Sequence, residues 1–294
     1  MTSPAPRSTS QRLPLVRGPG VEVVPRVDIV ASLGPGRGVV IVGHGTADPV
    51  GAAETHAVGR LVAEMLPGVP VEVGFLEVIG PSIGEALAAL AARGCRRVVA
   101  APLLLFTAGH AKRDIPDALD EGGRAAGVAV EQAAAIGCHA AVIGLGRRRR
   151  RQAVRGLEPV PAAATGLVMI GRGSSDPRAA AQLLEFTAAT FTADMAACPH
   201  EFRACRIGLG FVAAARPALA EALDAAVGPD VRRVVVQPHL LFRGHVEHQV
   251  MAAVARARER HPGVEWLVVP RLGAEPEVAT ALVERVAEAV RGSG

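Results

Sequence analysis

From Gly38 onward the chain alternates short, continuous apolar runs with longer stretches whose apolar residues recur at helical spacing. The runs in the first half are GVVIVG (38–43), VPVEVGFLE (69–77), RRVVAAPLLLF (96–106) and VAVEQAAAIG (128–137). Between them lie GAAETHAVGRLVAEML (51–66), PSIGEALAALAARG (81–94) and KRDIPDALDEGGRAAG (112–127), with an Ala/Arg-rich stretch from about His139 onward. Val, Ile and Leu in unbroken runs suit strands buried on both faces, and the intervening helices suit parallel crossovers. The pattern predicts an α/β fold built on parallel β-sheet flanked by helices. Asp48-Pro49 and Asp176-Pro177 read as helix N-caps followed by a first-turn proline, and Pro81 reads as the opening of another helix.

The same pattern occurs twice. RRVVAAPLLLF (96–106) and RRVVVQPHLLF (232–242) agree at 8 of 11 positions, an offset of 136 residues. That offset also aligns Phe75 with Phe211, Pro81 with Pro217 and Gly137 with Gly273, whereas VGHGTADP and IGRGSSDP align at 128. A repeat this long is not a solenoid unit. It describes two homologous lobes, residues 38–156 and 165–291, preceded by residues 1–37, whose Pro, Ser and Arg content predicts a flexible tail.

Composition narrows the possibilities only slightly. A net charge of +4 gives a mild basic bias that suits an anionic ligand. No apolar run approaches a membrane span, and the first 20 residues lack the continuous apolar core of a secretory signal. Cys95, Cys138, Cys198 and Cys205 form no C-x-x-C pair and fit no zinc spacing, which points to reduced, mostly buried thiols in a cytoplasmic chain. There is no G-x-S-x-G elbow and no phosphate loop, which argues against a hydrolase or nucleotide enzyme. GLGRRRRRQAVR (144–155) lacks interleaved aromatics. It reads as a solvated or lobe-bridging helix face ahead of an anion-binding patch, so no nucleic-acid partner is expected.

In a parallel sheet with right-handed crossovers every strand's carboxyl end reaches one edge, where ligands bind. His44 follows the first run, Glu77 the second, His110 the third and His139 the fourth. Each histidine alone is as well explained by a cap or a structural role. His44, Glu77 and His110 together form a set that can take a divalent metal such as iron, cobalt, nickel or zinc. Gly43 and Gly45 beside His44 suggest a surface cleared for a flat ligand. His139 aligns with Glu275 and is expected at the surface.

VGHGTADP, GFLEVIGPSIGEAL and PLLLFTAGHAKRDIP, in that order, resemble the sirohydrochlorin chelatases of the CbiX/SirB type, which belong to the class II chelatase group. The resemblance spans about Gly38 to Gly273 and implies the long form with two fused lobes, expected as a monomer. It implies insertion of Fe²⁺ or Co²⁺, with Ni²⁺ a third candidate, into a planar, carboxylate-rich tetrapyrrole in siroheme or cobalamin biosynthesis, with no permanently bound cofactor. A non-catalytic metal or tetrapyrrole carrier on the same fold is the alternative. His44, Glu77 and His110 are then the catalytic residues and metal ligands. The second lobe has Arg172 in place of the first histidine and Ala213 in place of the glutamate, and keeps only His245, so it should lack its own insertion site. Gly43, Gly45, Arg172, Arg216, Arg243 and His245 are the expected substrate contacts. His239, His245 and His248 could form a second metal cluster, although a binding wall is the stronger expectation.

Overall fold

The computed structural model describes residues 26–106, 111–197 and 206–292. The first lobe contains α1 (Arg26–Leu33), β1 (Arg37–Gly43), α2 (Pro49–Met65), β2 (Val71–Phe75), α3 (Ile83–Ala92), β3 (Arg97–Pro102), α4 (Ala111–Ala126), β4 (Ala129–Gln132) and α5 (Ala140–Val154). A 3₁₀ turn at Ala162–Ala164 leads into the second lobe. Its elements are β5 (Thr165–Gly171), α6 (Pro177–Ala197), β6 (Arg206–Phe211), α7 (Leu219–Ala226), β7 (Arg233–Pro238), α8 (His245–Arg260), β8 (Glu265–Val268) and α9 (Pro276–Gly292).

Each lobe is a four-stranded parallel sheet, ordered β2-β1-β3-β4 and β6-β5-β7-β8. The unbroken runs are buried on both faces because each sheet sits between two helical layers. Val40, Val42, Val98 and Ala100 pack under α3 and α4, while Val39, Ile41, Val99 and Ala101 face the opposite layer. The cap at Asp48 is as expected, its side chain accepting from the Val50 and Gly51 amides. Pro81 does not open a helix. It follows a cis peptide, and α3 starts two residues later behind a Ser82–Glu85 capping box.

The packing exchanges the last helix of each lobe. α9 lies on α1, α2 and β3 of the first lobe, and α5 lies on α6 and β8 of the second. One apolar core therefore runs through both lobes, from Val39, Ile41 and Val62 through Val278, Leu282 and Val286 to Leu145, Phe186 and Val235. The repeat divides the sequence in two, while this core joins the two parts.

A flexible tail was expected through residue 37. Residues 1–25 lie outside the described residues, but residues 26–33 form α1, which buries Ile29 and Leu33 against the shared core, and Arg37 begins β1. His139 is buried, not at the surface. Its Nδ1 accepts the Ala141 amide as the N-cap of α5, and its Nε2 lies 3.0 Å from Glu284 on the exchanged α9. Burial pulls its imidazole below the ordinary histidine range despite that carboxylate.

The arginine run serves the exchange. Arg148 pairs with Glu275 at 2.8 Å and with Glu277, and Arg149 pairs with Glu275 at 2.6 Å. Arg150 is fully buried, donates to Gln237 Oε1 at 2.7 Å and lies over the Phe191 ring. Of the two expected forms of this helix face, solvated or lobe-bridging, the structure has the lobe-bridging one. Cys95 and Cys138 are free thiols. No helix among the described residues is long and apolar enough to cross a membrane.

Candidate functional site

β1 and β2 are neighbours, with Gly43 opposite Phe75, and their ladder continues past both strand ends. The Leu76 amide donates to the Gly43 carbonyl at 2.9 Å and the Glu77 amide to the His44 carbonyl at 3.1 Å. The chain then turns at Gly45 in the left-handed region, φ +102°, beneath Glu77. This stacking of two loops brings His44 Nδ1 to 3.2 Å from Glu77 Oε1, with both side chains open to solvent.

The packing of the loops by itself requires both glycines. A Cβ on Gly45 would collide with the Glu77 carbonyl oxygen, and one on Gly43 would crowd the Phe75 ring and Thr55. They permit close approach of one loop to another, which is what pairs His44 with Glu77. The second lobe repeats the arrangement without the chemistry. Gly173, φ +87°, turns against the Ala213 carbonyl, and the Ala213 amide donates to Arg172 at 2.9 Å. Val78 and Ala214, the residues after Glu77 and Ala213, both hold positive φ, at 72° and 52°. Non-glycine residues adopt this conformation at an energetic cost. Because both lobes share it, the strain belongs to the loop pairing and not to the His–Glu pair.

Among the described residues no third His, Cys, Asp or Glu joins His44 and Glu77 in a metal-sized cluster. His110, expected as the third member, lies outside the described residues. The second cluster does not form. His239 is buried, its ring 4.0 Å from Phe186 and 5.0 Å from Phe106 between centroids, while His245 and His248 are exposed on α8. Burial pulls the His239 imidazole down to about 3, and its Nε2 has no hydrogen-bond partner among the described residues.

The expected substrate contacts are placed unequally. Arg172 is exposed and makes no ion pair among the described residues. Arg216 is exposed and paired with Glu221 on its own lobe. Arg243 reaches across the seam, its Nε 3.2 Å from Asp48 Oδ2. His245 opens α8 immediately after Gly244, which faces Thr46 in the His44 loop.

The seam contains residues that the motifs did not single out. Asp48 and Asp176 each cap their own helix through Oδ1 and offer Oδ2 to a cation of the other lobe. Asp48 takes Arg243, and Asp176 takes Lys112 at 2.6 Å. For Asp176 the hydrogen bond from Lys112, followed by those from Arg178, holds the carboxyl far below its ordinary range. For Asp48 burial pushes upward, but the Gly51 and Val50 amides and Arg243 outweigh it and hold the carboxyl below its ordinary value. The signal in the sequence was the aspartate shared by both copies of the motif, which a cap alone already explained.

Comparison with known proteins agrees with this two-lobed arrangement. The CbiX family model matches residues 38–153 and again 166–289. A sirohydrochlorin cobaltochelatase of Priestia megaterium is 26% identical over 257 residues, covering 87% of this chain and 81% of that protein. A sirohydrochlorin ferrochelatase of Bacillus subtilis is 28% identical over 258 residues, covering 87% and 92%. The solved structure of SirB from Bacillus subtilis with Fe³⁺ superposes with a TM-score of 0.70 at 25% identity, covering 87% of this chain and 96% of that one. With both halves matched and the duplication visible in sequence and sheet order alike, the chain belongs to the CbiX family.

Proposed function

We propose that this chain is a sirohydrochlorin chelatase that inserts Fe²⁺ or Co²⁺ into the macrocycle and releases two protons. The observation that carries the reading is the His44–Glu77 pair at the carboxyl edge of the first sheet, with Arg172 and Ala213 at the same places in the second. The matched chelatases of both metals support it. Ni²⁺ is a third candidate metal. No permanent cofactor is invoked, and we place the protein in the cytoplasm as a monomer.

The metal is a substrate and must be held weakly. Glu77 on Nδ1 orients the His44 ring and leaves Nε2 to the metal, the usual division between a carboxylate and a ligating imidazole. His110 is proposed as the second imidazole. So few ligands leave coordination positions open for pyrrole nitrogens, whereas a closed four-ligand cage would trap the ion. The two pyrrole N–H protons pass to nearby bases, for which the candidates are Glu77 and, once its Nε2 has given up the metal, His44. A metal-binding imidazole must be neutral, so insertion weakens as acid protonates it. Arg172 is proposed to hold a substrate carboxylate, because the change from Glu77 to Ala213 leaves its guanidinium without the carboxylate found in the first lobe.

Purified protein should accelerate metal insertion into sirohydrochlorin, read as a change in the absorption spectrum with Fe²⁺, Co²⁺ or Ni²⁺ in turn. His44→Ala should lower the rate by roughly 100-fold, within the usual range for general acid–base groups. Arg172→Ala should mainly raise KM for the tetrapyrrole. Rates equal to the spontaneous background in the wild type, with metal still bound, would instead identify a carrier.

A further inference from the structure

Arg243 is an expected substrate contact, and the structure also seats it on the first lobe. Its guanidinium Nε lies 3.2 Å from Asp48 Oδ2, the oxygen not engaged by the cap of α2. Its amide donates to Glu54 Oε2 at 2.9 Å, further along α2. Its carbonyl oxygen sits so close to Gly51 that a Cβ there would collide with it. Behind this contact Arg271 bridges Glu54 at 2.5 Å and Glu247 at 2.9 Å, tying α2 of the first lobe to α8 of the second. The turn that opens α8 is thus seated on the start of α2, and α2 begins five residues after His44. Within that turn the Asp48 amide donates to Thr46 Oγ1 at 3.1 Å, so displacing Asp48 shifts the loop carrying His44.

We propose that Arg243 is a positioning residue for His44, acting from the second lobe through Asp48. The inference rests on the metal reading given above. It assigns a purpose to the lobe that lacks the His–Glu pair: it sets the height of the first lobe's loop. Arg243 and Asp48 form a partly open ion pair, which contributes little to the stability of a fold. Its loss should therefore be felt in metal affinity more than in melting temperature.

The test uses the full chain with Co²⁺ alone as the calorimetric probe, and the tetrapyrrole KM measured separately by absorbance. Arg243→Met removes the cation, and Asp48→Asn keeps an acceptor for the α2 amides while removing the charge. Each single change should weaken Co²⁺ binding by roughly tenfold, the low end for groups that act through a metal ligand. The double variant should be no worse than either single, and KM for the tetrapyrrole should stay at the wild-type value. Unchanged Co²⁺ affinity in the single variants overturns the inference, as does additivity in the double. So does a raised tetrapyrrole KM with intact Co²⁺ binding, which would return Arg243 to the substrate. Wild-type protein that binds no Co²⁺ overturns the metal reading and this inference together, whereas wild-type binding with indifferent variants overturns this inference alone.

Discussion

Replacing His239 with leucine should remove a specific part of the protein's sensitivity to acid. The imidazole lies between the tilted rings of Phe106 of the first lobe and Phe186 of the second, with Nε2 unpartnered among the described residues. The repeat aligns His239 with Leu103, which is buried at the end of β3, so a leucine is known to fit the corresponding position. Folded, His239 takes up a proton only near pH 3, while in the unfolded chain it does so at its ordinary value of 6.5. The native state thus has the lower pKa. The stability this gives is complete above pH 6.5 and is lost as pH falls toward 3. Between pH 7.5 and 4.5 the loss is about 2–3 kcal/mol, from two pH units at about 1.4 kcal/mol each. At pH 7.5 the substitution removes a buried orphan nitrogen, worth about 1–3 kcal/mol, and two ring contacts of about 0.5–1.5 kcal/mol each, so the net change should be near zero. Urea unfolding of wild type and His239→Leu at both pH values gives the comparison. Other acid-sensitive groups, such as Asp48 and Asp176, contribute equally to both proteins and cancel. The variant should retain about 1 M more of its urea midpoint at pH 4.5 than the wild type does. Equal losses in the two proteins would refute a neutral, buried His239.

Two further outcomes follow from the loops and the exchanged helix. Gly45→Ala and Gly173→Ala should each lower stability by about 2 kcal/mol or more, since both need left-handed backbone and both face a carbonyl of the neighbouring loop. Only Gly45→Ala should also weaken Co²⁺ binding in calorimetry, and equal effects on binding would argue against the first lobe as the metal site. Ending the chain before Pro276 removes α9, whose Val278, Leu282 and Val286 are fully buried. At about 1.5–3 kcal/mol each these three alone rival the net stability of a typical domain. Amide exchange of the truncated protein should show lost protection in β1 and β3 of the first lobe, far from the cut in sequence. Loss confined to the second lobe would contradict the exchange.

Much of the architecture was legible along the chain, because unbroken apolar runs and helical spacing report directly on how many faces of an element are buried. The two parallel sheets, the caps at Asp48 and Asp176, and the duplication all follow from local pattern or from comparing one half with the other. The order of His44 and Glu77 after successive runs also placed them at one edge, since parallel strands all end on the same side of a sheet. What local pattern does not carry is the identity of the partner. The apolar stripe of α9 says that it is buried, not that it covers the other lobe's sheet. The charges of Arg148 and Arg149 look solvated until Glu275 and Glu277, more than a hundred residues away, are brought to them. The need for glycine at position 45 is set by the Glu77 carbonyl, which belongs to another loop. Arg243 is likewise held by Asp48 and Glu54, from a segment far away in the sequence. Burial and proximity are properties of pairs of distant segments, and only the packed chain determines which pairs meet.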